Sequence, residues 1–176
     1  MSPLFSSLKV GRMTLQQRIA MAPMTRLRAD TKHIPLPFVK EYYQQRAAIP
    51  GTLLVTEATV ISPRHGGYPN VPGIYTDEQI TAWKEVTKAV HEKGSYIYLQ
   101  LWALGRAANP SLLQQHGMNL VSSSDIPMKS TFSDEMQHPK PLTEKGIKYA
   151  IMDSTLAPQN AMKAGYDGVD IHGANG

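Results

Sequence analysis

The chain lacks cysteine entirely, lacks any long apolar run, and shows no run of charges of one sign. Without cysteine there are no disulfides and no thiolate chemistry, and the redox compartment stays undecided. No stretch approaches the roughly 18 apolar residues that a membrane-spanning helix needs, so no membrane partner is expected. Residues 1–7 have neither the basic start nor the apolar core of a secretory signal, which makes a cytoplasmic location the expectation.

The basic residues are scattered along the chain. The formal net charge is only +4, and no five or more Lys and Arg residues stand together. A nucleic-acid surface needs basic residues clustered on one face, so no nucleic-acid partner is expected, whereas an anionic small molecule is compatible. A hydrophobic content of 41% in 176 residues is typical of a globular chain with its own core. The whole chain, residues 1–176, is therefore predicted to be a single domain.

Short apolar strands alternate with helical patterns from one end of the chain to the other. A small hairpin is predicted around Gly11, where polar and apolar residues alternate. Strands separated by helices are typical of a parallel sheet covered on both faces, and their spacing is compatible with barrel units. The predicted fold class is α/β, a partial (β/α)8 TIM barrel with its first four strands and an N-terminal β-hairpin. The predicted strands cover residues 18–22, 52–56, 96–101 and 169–171, and the predicted helices cover 38–48, 77–94 and 144–164.

Three local features carry expectations of their own. Asp77 is predicted to cap the second helix. Pro158 is predicted to kink or break the last helix, because it lacks a backbone N–H and its ring clashes one turn back. Residues 102–141 are rich in Ser, Pro, Asn and Gln and are predicted to form a long irregular loop, of the kind that is usually functional or mobile. The turn after the first strand has no GxGxxG pattern, which disfavours a dinucleotide-binding Rossmann unit.

Polar residues stand at the end of each predicted strand. In a parallel barrel these ends meet at one face, which is where ligands bind. Gln100 offers a donor and an acceptor, matching a heterocycle with adjacent carbonyl and N–H groups. His172 and Asn175 offer N–H donors to an oxyanion or a carbonyl oxygen. Thr25 adds a hydroxyl. No acidic pair converges and no metal-ligand spacing occurs, so hydrolysis by two carboxylates and a metal site are both disfavoured.

Each of these residues also has a purely structural interpretation. Thr25 is compatible with an ordinary turn, and Gln100 with a side chain that bonds the backbone. His172 is compatible with a buried histidine bonded to a carbonyl group. Glu57, at the end of the second strand, is compatible with pairing to a neighbouring Lys or Arg. The residues alone leave these alternatives open.

Five segments, in this order along the chain, resemble the Old Yellow Enzyme family of FMN-dependent ene-reductases, which are (β/α)8 barrels. The match runs from the first hairpin to the last residue, and its order makes it far more specific than any single motif. Residues 35–39 and 42–47 are most similar to the fungal branch of the family. The five segments are residues 22–29, 56–58, 67–75, 100–106 and 170–176.

The resemblance implies a flavin site at the strand ends. Pro23, Met24 and Thr25 would lie along the FMN ring system, with the Thr25 hydroxyl bonding a ring carbonyl. Ala58 would contact the same rings, and Gln100 would bond their pyrimidine edge. The flavin carries the redox chemistry in such enzymes, while the protein positions the reactants.

The resemblance also implies the substrate and the reductant. His172 and Asn175 would hold the carbonyl oxygen of a small enone or enal. His172 would also contact the cofactor. Trp102 and Tyr68 would line the substrate space. NADPH or NADH would supply the hydride and bind transiently in the same pocket. The implied activity is reduction of the activated C=C bond of an α,β-unsaturated carbonyl compound, and the similarity to the fungal branch implies a place in fungal secondary metabolism.

The chain departs from the family in length. A family barrel has eight βα units, typically about 250 residues, whereas four strands are predicted here. The chain is therefore predicted to be the N-terminal half of an FMN-binding barrel. The alternatives are an inactive truncated remnant or an interaction module that does not hold FMN alone. Pairing with a second copy, or with another chain that supplies a second half-barrel, would complete the fold.

Overall fold

The computed structural model describes residues 2–174, so Asn175 lies outside the described residues, as do Met1 and Gly176. After a short 3-10 helix (Pro3–Phe5) comes the predicted hairpin, formed by β1 (Leu8–Val10) and β2 (Met13–Leu15), which pair antiparallel. Gly11 takes a φ of 57° at the turn, a left-handed conformation that glycine adopts without the steric cost of a Cβ.

The predicted parallel sheet is confirmed. Its strands are β3 (Ala20–Met21), β4 (Leu53–Val55), β6 (Tyr96–Trp102) and β11 (Gly168–Ile171), in the spatial order β3-β4-β6-β11. A short β5 (Thr59–Val60), which the sequence analysis did not predict, pairs parallel with the end of β6. All these pairings are parallel, as the alternation of apolar strands and helices required.

Helices cover one face of this sheet, whereas cover on both faces was predicted. They are α1 (Val39–Arg46), α2 (Asp77–His91) and α4 (Glu144–Lys163), each close to its predicted range. The apolar stripe of α2 is buried, and Trp83 and Val90 are fully enclosed. Together with the helix-facing residues of the strands, it forms one contiguous core. None of the helices in residues 2–174 is long and apolar enough to cross a membrane.

The N-terminal cap of α2 differs from the prediction. The Thr76 hydroxyl, rather than Asp77, accepts from the Gln79 N–H at 3.2 Å, and the Gln79 side chain accepts from the Thr76 N–H at 3.1 Å. This reciprocal pair is a capping box, which satisfies two helix-end donors at once. Asp77 is the first residue inside the helix, where its charge favours the positive helix end without making the cap.

The predicted break at Pro158 is wrong. Helix α4 is continuous from Glu144 to Lys163 with Pro158 inside it. Proline removes the backbone bond to the carbonyl of Ser154, one turn back, and Ser154 is exposed, so water can satisfy that group. Ala157 and Ala161 are buried on the core side, and their packing holds the helix against the sheet.

The segment 102–141 is less irregular than predicted. It contains α3 (Pro110–Gln115), a parallel pair of β7 (Val121–Ser122) with β10 (Lys140–Pro141), and an antiparallel pair of β8 (Met128–Lys129) with β9 (Met136–Gln137). Strands of two residues are too short to show a sequence period. The segment packs on a second small core beneath the end of β6, formed by Val60, Val71, Leu104, Ala108, Leu113 and Leu120.

Candidate functional site

The carboxyl ends of the parallel strands meet at one edge of the sheet. Leu99 and Leu101 of β6 face the helices and are buried in the core. Because side chains alternate along a strand, the residues between them face the opposite side. We call this the open face of the sheet. Its residues near the strand ends include Tyr98, Gln100, Trp102, Asp170 and His172.

Gln100 is held at two points on the open face. Its side chain is almost buried, with the residue 6% exposed. Its main-chain N–H donates to the Thr56 hydroxyl at 3.1 Å, and its side-chain Nε2 donates to Oδ2 of Asp170 at 2.8 Å. The structure therefore places a fixed amide group where the sequence analysis predicted a heterocycle-binding residue.

Aromatic rings line the strand ends beside Gln100. The rings of Trp102 and His172 meet edge to face, with centroids 6.1 Å apart and an interplanar angle of 85°. Tyr68 lies against Trp102 at 5.7 Å and against Phe132 at 5.0 Å. The backbone N–H of His172 donates to the Leu101 carbonyl at 3.1 Å, which continues the β6–β11 pairing by one residue. Trp102, Tyr68 and His172, predicted to share a site, are neighbours in the structure.

The segment Pro23-Met24-Thr25 follows β3 and is exposed. The backbone of this segment is fixed by Glu57, which follows the next strand, because the Arg26 N–H donates to Oε2 of Glu57 at 2.9 Å. Glu57 is only 2% exposed, and its own N–H donates to the Tyr43 hydroxyl at 2.9 Å. Ala58, the next residue, is buried. The structural alternative for Glu57 was a pair with a basic side chain, but the observed partner is a backbone amide.

Burial raises the pKa of the Glu57 carboxyl, and the backbone N–H groups of Arg26 and Leu27 only partly oppose that shift. The folded chain therefore binds a proton at Glu57 more tightly than the unfolded chain does. Between the ordinary glutamate pKa of 4.5 and the raised folded value, this difference makes the folded state less stable as pH rises.

Glu57→Gln should remove this part of the pH dependence. Glutamine keeps an acceptor oxygen for the Arg26 N–H but does not titrate. We expect the free energy of unfolding of the parent chain, measured relative to the variant, to fall as pH rises from the ordinary glutamate pKa toward neutrality. Urea unfolding of both proteins at a series of pH values measures it. Parallel pH profiles for the two proteins would contradict the assignment.

Asp170 and Tyr43 are parts of the site that were not predicted from the sequence. Asp170 stands two residues before His172 on the same strand, so the period of two already placed both on one face. That signal was available. Tyr43 is on α1, and only the packing of that helix brings its hydroxyl to the Glu57 N–H. No local pattern indicates such a contact.

Amide, imidazole and aromatic groups dominate the strand ends. Among residues 2–174 there is no group of three or more His, Asp or Glu side chains arranged to hold a metal ion. A planar ligand with hydrogen-bonding groups on one edge matches these side chains, because Gln100 supplies directional polar groups and the rings supply apolar surface.

The comparisons with known proteins define the class of this protein. The sequence profile of the NADH:flavin oxidoreductase / NADH oxidase family matches residues 3–176. The chain belongs to that family. The resemblance to the Old Yellow Enzymes, predicted from five segments, and to their fungal branch, predicted from residues 35–39 and 42–47, is thereby confirmed.

Two individual relatives show how similar the chain is to particular members of the family. The chain is 60% identical to the chanoclavine-I aldehyde reductase fgaOx3 of Penicillium roqueforti (strain FM164), over 100% of this chain and 47% of the relative. It is 53% identical to the probable inactive reductase easA of Epichloe festucae var. lolii, over 99% of this chain and 45% of the relative. The chain thus spans about half the length of the curated relatives it matches.

A solved structure confirms the fold class. The crystal structure of Old Yellow Enzyme from Pichia sp. AKU4542 superposes with a TM-score of 0.91 at 39% sequence identity. The match covers 99% of this chain and 46% of that one. The predicted partial barrel is therefore correct, and it corresponds to about half of the related fold.

Proposed function

We propose that residues 1–176 form the N-terminal half of an FMN-binding barrel whose strand ends serve the reduction of enones or enals by NADPH or NADH. The observation that carries the proposal is the buried Gln100 amide, held at the strand ends next to Trp102 and His172 in a chain of a flavin oxidoreductase family. The related proteins are named as reductases, which supports the reaction class.

The described residues fit one end of a flavin. The Gln100 amide carries both a donor and an acceptor, the pair that the pyrimidine edge of an isoalloxazine requires. Met24, which follows β3, is 44% exposed and offers apolar surface. Pro23 and Thr25 flank it, and Ala58 is small and buried. When bound, FMN would supply the hydride-transfer chemistry that these side chains lack.

The chain's own residues would bind and orient the substrate. The His172 ring would donate a hydrogen bond to the carbonyl oxygen of the substrate. This hydrogen bond would strengthen as negative charge develops on that oxygen. Asn175 would share that oxygen. Tyr68 and Trp102 would form an apolar wall that fixes the alkene relative to the flavin. The cytoplasmic location stays a prediction.

The test is the affinity of the purified chain for FMN. We expect weak, saturable binding, because only half of the related fold is present. Gln100→Ala should weaken it about tenfold or more, because at least one hydrogen bond is lost without a replacement. Quenching of flavin fluorescence during titration measures the affinity. The control is Gln159→Ala, an exposed position on α4 that should leave the affinity unchanged.

Equal affinities for the Gln100 and Gln159 variants would remove Gln100 from the site. A chain that stays colourless after incubation with FMN and gel filtration would favour the alternative of an inactive remnant or an interaction module. That alternative draws support from the relative named as probably inactive. It also draws support from exposed apolar side chains on α4 and β11, among them Ile151 at 61% and Ile171 at 76%. Elution at a larger size would indicate pairing with a second copy.

A further inference from the structure

We propose that Asp170 is a positioning residue that fixes the direction in which the Gln100 amide faces. The inference deepens the proposed function and rests on it, because it concerns the edge of the amide that would meet the flavin. Asp170 itself needs no contact with the ligand. Its effect passes through Gln100, whose Nε2 donates to its Oδ2 at 2.8 Å.

The chemistry of the pair determines which way the amide points. An amide carries its oxygen and its NH2 group on opposite sides of one carbon, and the two are similar in size. A carboxylate accepts hydrogen bonds and cannot donate them. The NH2 group of Gln100 must therefore face Asp170, since the reversed amide would bring two oxygen acceptors together. Oε1 consequently points away from Asp170.

The sheet keeps the two residues in register. Asp170 and Gln100 are direct partners in the parallel pairing of β11 with β6. The Gln100 main chain is also tied to β4, through the bond from its N–H to the Thr56 hydroxyl at 3.1 Å. Gln100 is 6% exposed, so few alternative rotamers are open to it. The amide is thus constrained both along its backbone and at its tip.

The fixed amide has a defined remaining hydrogen-bonding capacity. One of its two N–H groups is used by Asp170, which leaves one carbonyl oxygen and one N–H. A ring N–H flanked by carbonyl groups, as in the pyrimidine ring of a flavin, needs an acceptor beside a donor. Without Asp170, the amide could turn over and exchange the positions of its donor and acceptor part of the time. Asp170 should therefore make the site prefer a ligand with a ring N–H.

The first measurement follows the Gln100 side-chain amide by ¹⁵N–¹H NMR, with the resonances assigned by their loss in Gln100→Ala. In the parent chain, the proton bonded to the carboxylate should be shifted well away from its geminal partner. In Asp170→Ala the two shifts should move toward those of an exposed glutamine. Asp125→Ala, at an exposed position, is the matched control and should leave both resonances in place.

The second measurement compares the affinities for FMN and for 3-methyl-FMN, in which the ring N–H is blocked. The parent chain should prefer FMN about tenfold, the effect of one hydrogen bond. Asp170→Ala should lower that preference about twofold, to about fivefold, because a freely turning amide is in the competent orientation about half the time. Asp170→Asn, nearly isosteric, should also lower it, because asparagine can pair with either side of the amide. This variant decides the question if the alanine variant does not fold.

The outcomes separate the inference from the proposed function. Unchanged Gln100 resonances in the Asp170 variants, or an unchanged preference for FMN, would overturn the positioning role. Failure of the parent chain to bind either flavin would overturn the proposed function and, with it, the selection of a ring N–H. In that case, resonances that shift in Asp170→Ala would still support the pairing of Asp170 with Gln100.

Discussion

Trp83→Ala is expected to lower the free energy of unfolding by about 3–5 kcal/mol, the usual cost of removing a large aromatic side chain from a core. Trp83 is completely buried, between Tyr43 at 6.3 Å and Tyr166 at 5.8 Å between ring centroids. Its Nε1–H donates to the Gly73 carbonyl at 3.1 Å. The substitution therefore removes both the packing of α2 on the sheet and a buried hydrogen bond.

Trp83→Phe separates these two contributions. Phenylalanine keeps most of the apolar contact but leaves the Gly73 carbonyl without its donor. We expect a loss of about 1–3 kcal/mol, the penalty for one buried group left unsatisfied. Urea unfolding followed by circular dichroism measures both variants. An alanine variant no less stable than the phenylalanine variant would contradict the central place of Trp83 in the core.

Trp83→Ala should also loosen the backbone at the candidate site. Trp83 packs against Tyr43, and the Tyr43 hydroxyl accepts from the Glu57 N–H. Glu57 in turn holds the Arg26 amide, which follows Pro23-Met24-Thr25. We therefore expect faster hydrogen exchange at the Arg26 amide in Trp83→Ala than in the parent chain. Exchange that quickens only within α2 would show that the strand end is held independently of the core.

Asp153→Ala is expected to cost about 2–3 kcal/mol of stability, because a hydrogen bond to a buried carboxylate is lost. Asp153 of α4 is 6% exposed, its Oδ2 accepts from the Ser62 hydroxyl at 2.6 Å, and it forms an ion pair with Nε of Arg64 at 3.1 Å. These bonds join α4 to the loop after β5. Arg64 is 43% exposed in its side chain, so solvent screens its share and the Ser62 bond should dominate.

Arg64→Leu is the matched control and should cost about 1 kcal/mol or less, as for other solvent-screened pairs. His65 gives a second readout. Burial lowers the pKa of His65, and the charge of Asp153, whose Oδ2 is 3.6 Å from its Nε2, opposes that shift. In Asp153→Ala the pKa of His65 should fall further, which an NMR titration would show. Equal losses of unfolding free energy in Arg64→Leu and Asp153→Ala would show that the ion pair between Arg64 and Asp153, rather than the Ser62 hydrogen bond, provides the stabilisation.

The features that were predicted correctly depend on residues close together in the chain. The hairpin around Gly11 depends on a local turn. The buried stripe of α2, with Trp83 and Val90, depends on spacing along one helix. Parallel strands were required by the alternation of apolar runs and helices, because such strands need a crossover to connect them. The strand-end location of Gln100 and His172 followed directly from that topology.

The wrong predictions for Pro158 and Asp77, and the alternative left open for Glu57, were decided by neighbouring groups rather than by the preference of the residue itself. Pro158 disfavours a helix, but the packing of Ala157 and Ala161 against the sheet and the exposure of Ser154 let α4 continue. Glu57 has many possible basic partners in the sequence, yet the folded chain supplies the Arg26 backbone amide. Asp77 and Thr76 are both good capping residues, and the position of Gln79 decides between them.

For this protein, the sequence by itself determined the order of strands and helices, the family, and the residue types that stand at the strand ends. Those properties follow from periodicity, turn residues and motif order, which are all read along the chain. The tertiary structure alone decided which side chains face one another across strands: Asp170 with Gln100, Trp102 with His172, and Glu57 with the segment after Thr25. Register and helix packing set these distances, and neither is encoded by any single local stretch.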